Sequence, residues 1–285
     1  MSFLLALLAQ VGPFGSVGPQ PVSPLPPEIV ERKASPRKEA DKPAVSARPE
    51  PIREMSEFDR CLADVKTDPD AAAERASKLM EKAIGLDKAQ AGHCLGLAAS
   101  RLEFWAEAEA AFLAARDALD GEVPEYRARL GSMAGNAAMA QDNAQAALAA
   151  FEVAQGDAKK AGSAGLEGSI AMDRARALVA LGRLDEAAAA LAEARAADPG
   201  DAQVWLLSAT LSRRTGKLAE AQSQIETAAN LLPVDTEIGL EAGRIAILAG
   251  QEEAARKSWQ SVVEAAPESP AADTARSYLA QLEKQ

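Results

Sequence analysis

The feature that most constrains this chain is a 34-residue period in its C-terminal half. Three sets of residues keep this step, namely Pro199, Pro233 and Pro267, then Gly182, Gly216 and Gly250, then Ala187, Ala221 and Ala255. A unit of this length cannot enclose a hydrophobic core by itself, and must bury its apolar face against a neighbouring unit. The period therefore predicts a row of stacked units.

The composition predicts that each unit is helical. Aromatic residues make up only 4% of the chain, and Ala, Leu, Glu, Gln and Arg, which favour helices, dominate after about residue 55. A glycine in mid-unit accepts the positive φ that follows a first helix, and a proline at the end of the unit stops a second helix. Small residues such as Gly243 and Ala255 are expected where the two helices cross, with Trp259 alongside. The fold class predicted is all-α.

The best unit, 202–235, carries the pattern most fully. Its matching residues are Trp205, Ala209, Gly216, Leu218, Ala221, Ile225, Ala228 and Pro233. This pattern resembles the tetratricopeptide repeat family, here a secreted bacterial type. Ser208 and Ser212 depart from it, since the family prefers Leu and Tyr there. The resemblance implies an α-solenoid of five to six helix–turn–helix repeats that ends in a capping helix.

Repeat boundaries follow from the same register. Units are predicted to start near 56, 89, 128, 168, 202 and 236 within a superhelix of residues 56–285, and Ser269-Pro270 is predicted to open a cap helix over 270–283. The steps 89 to 128 and 128 to 168 are longer than the others. They predict longer loops near 120–126 and 157–168.

The N-terminal region differs from the repeats. Residues 1–9 form an apolar run that is too short to span a bilayer and ends in Ala9, so we interpret it as a signal peptide, although no Lys or Arg precedes it. Residues 10–55 contain ten of the sixteen prolines and are predicted to be a disordered linker. This organisation predicts a periplasmic or secreted protein; the alternative is a cytoplasmic protein whose first residues are a disordered end.

Charge disfavours several partner classes. The chain carries a net charge of −11, and the part after residue 55 holds 24 Lys and Arg against 36 Asp and Glu. Nucleic acid and anionic lipid require a basic surface, so the acidic body disfavours both as partners, and we predict no nucleic-acid binding. No segment is predicted to cross a membrane.

Few residues could carry chemistry. The sequence holds one histidine, His93, and two cysteines, Cys61 and Cys94, without zinc-ligand spacing or a phosphate-binding loop. We therefore predict no catalytic residue, metal or cofactor, and place His93 in a groove or on the surface. Cys61 and Cys94 occupy nearly equivalent places in successive units, which favours a disulfide; the alternative is two buried thiols.

The resemblance implies that a partner binds along the concave face, which first helices line. Outward positions of those helices hold Arg101, Arg129, Asn136, Met172, Arg176, Leu206, Arg213, Arg214 and Arg244, with Leu240 and Ile247 nearby. Guanidinium groups beside apolar side chains suit an acidic or C-terminal peptide segment. The alternative is that these arginines pair with Glu on neighbouring helices.

These observations predict a non-catalytic scaffold that binds a protein or peptide in the bacterial periplasm or cell envelope. Two alternatives remain open: a structural subunit or assembly factor of an envelope complex, and a cytosolic adaptor of the chaperone type.

Overall fold

The computed structural model describes residues 55–121 and 123–283. The predicted signal peptide (1–9) and all of the predicted linker (10–55) except Met55 lie outside the described residues. The described part contains thirteen helices: α1 (Glu57–Thr67), α2 (Pro69–Met80), α3 (Gly85–Arg101), α4 (Trp105–Asp117), α5 (Pro124–Ala140), α6 (Ala144–Ala161), α7 (Ala164–Ala180), α8 (Leu184–Ala197), α9 (Ala202–Arg214), α10 (Leu218–Leu231), α11 (Thr236–Leu248), α12 (Glu252–Ala265) and α13 (Pro270–Leu282). Residues 55–121 and 123–283 include no β-strand, and the predicted all-α class is confirmed.

The helices form six successive pairs followed by α13. Each helix packs against the next one along the chain, and first helices of adjacent pairs also meet directly, as α1 with α3, α5 with α7, and α9 with α11. Within the described ranges, no two second helices of adjacent pairs approach as closely. The row therefore bends toward its first helices, which is the predicted α-solenoid.

The turn inside each pair from α3–α4 onward contains one left-handed residue. Gly182, Gly216 and Gly250 have φ of 73°, 76° and 74°, as the repeated glycine predicts. Glu103 (φ 63°) and Asp142 (φ 57°) occupy the same place in two upstream units. The left-handed turn is thus present also in the two units that have no glycine at this position.

The extra residues of the two long units are used differently. One long loop was predicted near 157–168, and this prediction is wrong, because α6 continues to Ala161 and α7 already begins at Ala164. Gly162, with φ of 64°, ends α6, so the added residues lengthen two helices. The other insertion lies between Asp117, the last residue of α4, and Pro124, the first residue of α5, as predicted.

An arginine of α5 contacts the residues at the end of α4. Arg127 Nη1 donates hydrogen bonds to the carbonyl oxygens of Leu119 at 2.6 Å and Arg116 at 3.1 Å. These carbonyls lie at the end of α4 or just beyond it, where intrahelical donors run out. A side chain of α5 therefore stabilises the end of the preceding helix.

The hydrophobic core extends along the row of helices. It consists mainly of buried alanines, with single large side chains between them. Phe151, Leu130, Ile170 and Ile225 are the largest of the fully buried residues. At the C-terminal end, Ser269 Oγ accepts a hydrogen bond from the Ala272 N–H at 3.1 Å and starts α13, which confirms the predicted cap helix. Among the residues described, no helix has both the length and the apolar character needed to cross a membrane.

Candidate ligand-binding groove

The surface formed by the first helices α3, α5, α7, α9 and α11, termed the first-helix face, is not uniform. The helices α5 and α7 touch, as do α9 and α11, whereas α3 lies further from α5, and α7 lies further from α9. A pocket of about 170 Å³ opens between α7 and α9. We call it the α7–α9 pocket.

Apolar side chains form most of the α7–α9 pocket. Its lining consists of Met172, Ala175, Arg176 and Val179 from α7, Leu191 from α8, and Leu207, Thr210, Leu211 and Arg214 from α9. Leu191 and Leu211 belong to the buried core, whereas Leu207, Val179 and Met172 are only partly buried. The pocket therefore presents apolar surface that a ligand side chain could cover.

Two guanidinium groups border this apolar surface. Arg176 Nη1 lies 2.6 Å from Asp173 Oδ1 on its own helix, so its charge is already partnered. Arg214 is exposed and makes no ion pair within the described part of the chain. Arg214 is therefore the cation that an incoming carboxylate would meet unpaired.

Two other predicted groove arginines have a different role. Arg213 Nε lies 2.6 Å from Glu241 Oε1, and Arg244 Nη1 lies 3.4 Å from Glu241 Oε2. Glu241 is buried, and Arg244 also donates to the Tyr278 hydroxyl at 3.0 Å. These arginines balance a buried carboxylate between α9, α11 and α13. Arg213 reaches it from a neighbouring helix, as the alternative from the sequence has it, whereas Arg244 lies on the same helix as Glu241.

The remaining predicted positions are dispersed along the row. Arg129 pairs with Glu125 at 2.7 Å, and Asn136 Nδ2 donates to Asp173 Oδ2 at 3.3 Å. Arg101 lies at the end of α3, away from the lining of the α7–α9 pocket.

The leucines predicted to face the groove are buried. Leu206 is only 8% exposed and packs against Ile238 and Ile225, and Leu240 is 3% exposed. Leu207, which sequence reasoning missed, lines the pocket instead. One residue along a helix turns the side chain by about 100°, so an error of one position moves it out of the groove.

The cysteine region lies at the other end of the row. Cys61 on α1 and Cys94 on α3 have Cα atoms 6.2 Å apart, with sulfur atoms at bonding distance, as a disulfide requires. Both side chains are buried.

His93, next to Cys94, does not lie free in a groove as predicted. Its ring contacts Phe58, Phe112 and Tyr126, and its Nδ1 is 3.0 Å from the Tyr126 hydroxyl. Its buried Nε2 has no hydrogen-bond partner. Burial lowers the pKa of His93 and raises the pKa of Tyr126 to about 12. The histidine is therefore a neutral packing residue, and the prediction of a groove or surface position is wrong.

Comparison with known proteins agrees with this architecture. A family model for the tetratricopeptide repeat matches residues 169–211, which include most of the lining of the α7–α9 pocket. The structure of PilW, described as a widely conserved type IV pilus biogenesis factor, aligns with a TM-score of 0.61 over 76% of this chain and 95% of its own, at 16% identity. The chain has the fold of a tetratricopeptide-repeat solenoid.

Two further solved structures share this tetratricopeptide-repeat fold. PilF of Pseudomonas aeruginosa aligns with a TM-score of 0.59 over 78% of this chain and 95% of its own, at 12% identity. YrrB, described as a tetratricopeptide-repeat protein with an unusual peptide-binding site, gives 0.52 over 72% and 99%, at 20% identity. At these identities the likeness establishes the fold. No curated protein sequence matches the chain.

Proposed function

We propose that this tetratricopeptide-repeat protein is a non-catalytic scaffold that binds a protein or peptide partner in the α7–α9 pocket. The observation that carries the proposal is the unpaired guanidinium of Arg214 beside the partly buried apolar side chains of Leu207, Val179 and Met172. This combination suits a segment in which a large apolar side chain lies next to a carboxylate, from Asp, Glu or a chain end. Arg101, Arg129 and Asn136 extend the surface that the rest of the ligand would cross.

A non-catalytic role rests on the chemistry of the described side chains. His93, the sole histidine of the chain, is held between aromatic rings. Arg213 and Arg244 both form ion pairs with Glu241, so the charges of this cluster are already paired with one another. In residues 55–121 and 123–283, no group of three or more His, Cys, Asp and Glu side chains is arranged to hold a metal ion.

The experiment is a selection of displayed random peptides on the full-length protein. Thr210→Trp, which fills the α7–α9 pocket, serves as counter-selection. Enriched peptides should pair a large apolar residue with an acidic residue or a free C-terminus, and Arg214→Ala should weaken their binding about tenfold, as expected for loss of one charge-assisted contact. Peptides that bind Thr210→Trp equally well would rule out this pocket as the site.

For location we propose the periplasm or the cell envelope. The placement of Cys61 and Cys94 supports it, because disulfides persist in oxidising compartments. The apolar run 1–9 is consistent with export. Cell fractionation together with N-terminal sequencing of the mature chain tests the proposal; a cytoplasmic protein that retains residues 1–9 would overturn it.

A second candidate function is assembly factor or structural subunit of an envelope complex. The similarity to PilW, whose description is that of a biogenesis factor, favours it. The two functions differ in stoichiometry. Cross-linking in cells followed by purification should give a fixed-ratio complex for a subunit and a substoichiometric partner for a peptide-binding scaffold.

A further inference from the structure

A second cavity, distinct from the α7–α9 pocket, lies between α8, α9 and α10. Its volume is about 110 Å³, and we call it the α8–α10 cavity. Its polar lining includes Arg195 from α8, Ser208 and Ser212 from α9, and Gln224 from α10. The two cavities share Leu191 and Leu211 in their linings, but these four polar side chains line the α8–α10 cavity alone.

Two serines leave this space open. Ser208 and Ser212 are 2% and 7% exposed, at the positions where the repeat pattern has Leu and Tyr. In the preceding unit, 34 residues earlier, the counterpart of Ser212 is Leu178, which is 3% exposed and fills the core. A serine in the same place leaves room and adds a hydroxyl group.

The cavity contains a cation without a carboxylate partner. Arg195 is partly buried, donates from Nη1 to Ser208 Oγ, and lies over the ring of Trp205 with Cζ 5.2 Å from its centroid. It forms no ion pair in the parts of the chain that the structure describes, although Glu220 attracts it from a greater distance. Burial lowers the pKa of Arg195, which shows that its charge has lost solvation. The counterpart in the next unit is Ala229, so the fold does not require an arginine here.

Donors remain free around the cavity. A guanidinium group has five N–H donors, and the only hydrogen bond of Arg195 to the described residues is the one to Ser208. Ser212 Oγ donates to Gln224 Oε1 at 2.8 Å, which leaves the amide nitrogen of Gln224 without a partner among those residues. The exposed rim carries Asp185, Glu220 and Lys217, so long-range charge does not favour an anion. Recognition must come from Arg195 and Gln224 at short range.

We propose that the α8–α10 cavity binds a carboxylate group, with Arg195 and the Gln224 amide as donors and Leu184, Leu191 and Leu211 around its short aliphatic part. At roughly 30 Å³ for each water molecule in the liquid, the cavity has the volume of about four waters, which suits a carboxylate carried on a few carbon atoms. The group belongs to a free short-chain acid or to an acidic side chain of a partner protein.

The test uses Trp205, whose indole N–H donates to the Pro199 carbonyl oxygen at 2.9 Å, as a reporter. The full-length ¹⁵N-labelled protein is titrated with sodium propionate, with sodium chloride at equal ionic strength as the reference, and the Trp205 signal is assigned with Trp205→Phe. Propionate should give a saturable shift. Ser212→Leu, which fills the cavity, and Arg195→Gln should each weaken binding at least about tenfold.

Ser223→Leu, on the exposed side of α10, is the matched control and should bind propionate as the unmodified protein does. Absence of a saturable shift, or equal binding by Ser212→Leu, would show that only water fills the cavity and would overturn the proposal. If Ser212→Leu does not fold, as judged by circular dichroism, equal binding by Arg195→Gln overturns it instead. An acetylated, amidated peptide containing Glu separates the sources: tighter binding than propionate assigns the site to a partner's side chain, and weaker binding assigns it to a free acid.

Discussion

Gly243 on α11 lies directly beneath the indole ring of Trp259 on α12, so close that a methyl group on the glycine would overlap the ring. Every unit from residue 89 onward has an equivalent pair of positions, and the size of one residue varies with the size of the other. A glycine accompanies an aromatic ring, whereas an alanine accompanies a smaller aliphatic side chain. The pairs are Gly96 with Phe112, Gly135 with Phe151, Ala175 with Leu191, Ala209 with Ile225, and Gly243 with Trp259.

This coupling predicts the effect of substitution. Gly243→Ala should lower the free energy of unfolding by about 1–3 kcal/mol, because the added methyl group overpacks the crossing point. Combining it with Trp259→Leu recreates the Ala175 and Leu191 arrangement. The double variant should therefore lose less free energy of unfolding than the sum of the two single-variant losses. Urea denaturation of all four proteins measures the coupling. Gly156→Ala, on α6 with no atom near the added methyl group, is the control and should not destabilise.

The buried carboxylate of Asp157 joins three helices and gives a second prediction. Its Oδ2 lies 2.8 Å from Arg116 Nη2 and 3.5 Å from Arg127 Nε, and its side chain is 5% exposed. Asp157→Asn removes the buried carboxylate that two partly buried guanidinium groups share and should cost about 3–5 kcal/mol. Thermal or urea unfolding checks this. Asp117→Asn, which removes an exposed partner of Arg116, should change stability by less than about 1 kcal/mol; equal effects would contradict the account.

The sequence predicted those parts of the fold that depend on local chemistry. The turn glycines at 182, 216 and 250 and the Ser269 cap were predicted because a left-handed φ and an N-cap each demand particular residue types. The extension of α6 and α7 was missed, since the Gly and Ser residues between them resemble a loop in composition. Helix propensity alone does not decide where a helix ends when neighbouring units pack against it.

The candidate site was only partly predictable. Met172, Arg176 and Arg214, which the sequence analysis assigned to the groove, lie together in the lining of the α7–α9 pocket. Arg213 on α9 faces Glu241 on α11, a pairing that depends on the separation of two helices, whereas Arg244 pairs with Glu241 three residues earlier on its own helix. The pocket itself arises because α7 and α9 separate, and no residue pattern reports that spacing.

His93 predicts a pH dependence of stability. Burial holds the pKa of His93 below the ordinary value of about 6.5. As the pH falls below that value, the histidine therefore becomes protonated in the unfolded chain before it does in the folded protein. Stability should therefore fall as pH decreases from 7 toward 5.5, by at most about 1.4 kcal/mol per pH unit from this one group.

The control for the pH effect is His93→Gln. Because the chain has a single histidine, this variant removes the contribution completely. Urea denaturation at pH 7.0, 6.5, 6.0 and 5.5 compares the two proteins. Identical slopes would show that His93 is not desolvated in the folded protein.

The cysteine pair predicts a measurable thiol count. Denatured but unreduced protein should show no free thiol, and reduction should release two. The bond closes a segment of 33 residues and should contribute about 3–4 kcal/mol to the stability of the first two helix pairs. Urea denaturation with and without reductant measures this, and a Cys61→Ser, Cys94→Ser variant should not respond to reductant. Two free thiols before reduction would contradict the disulfide.

The central claim is that a partner segment binds the first-helix face between α7 and α9. The most direct test is a methyl-NMR footprint of the full-length protein with a peptide from the proposed selection. The account predicts that the largest shifts fall on Met172, Val179 and Leu207, and that Arg214→Ala weakens the binding. Shifts confined to exposed side chains elsewhere, such as Val153 on α6 or Leu231 on α10, would contradict it.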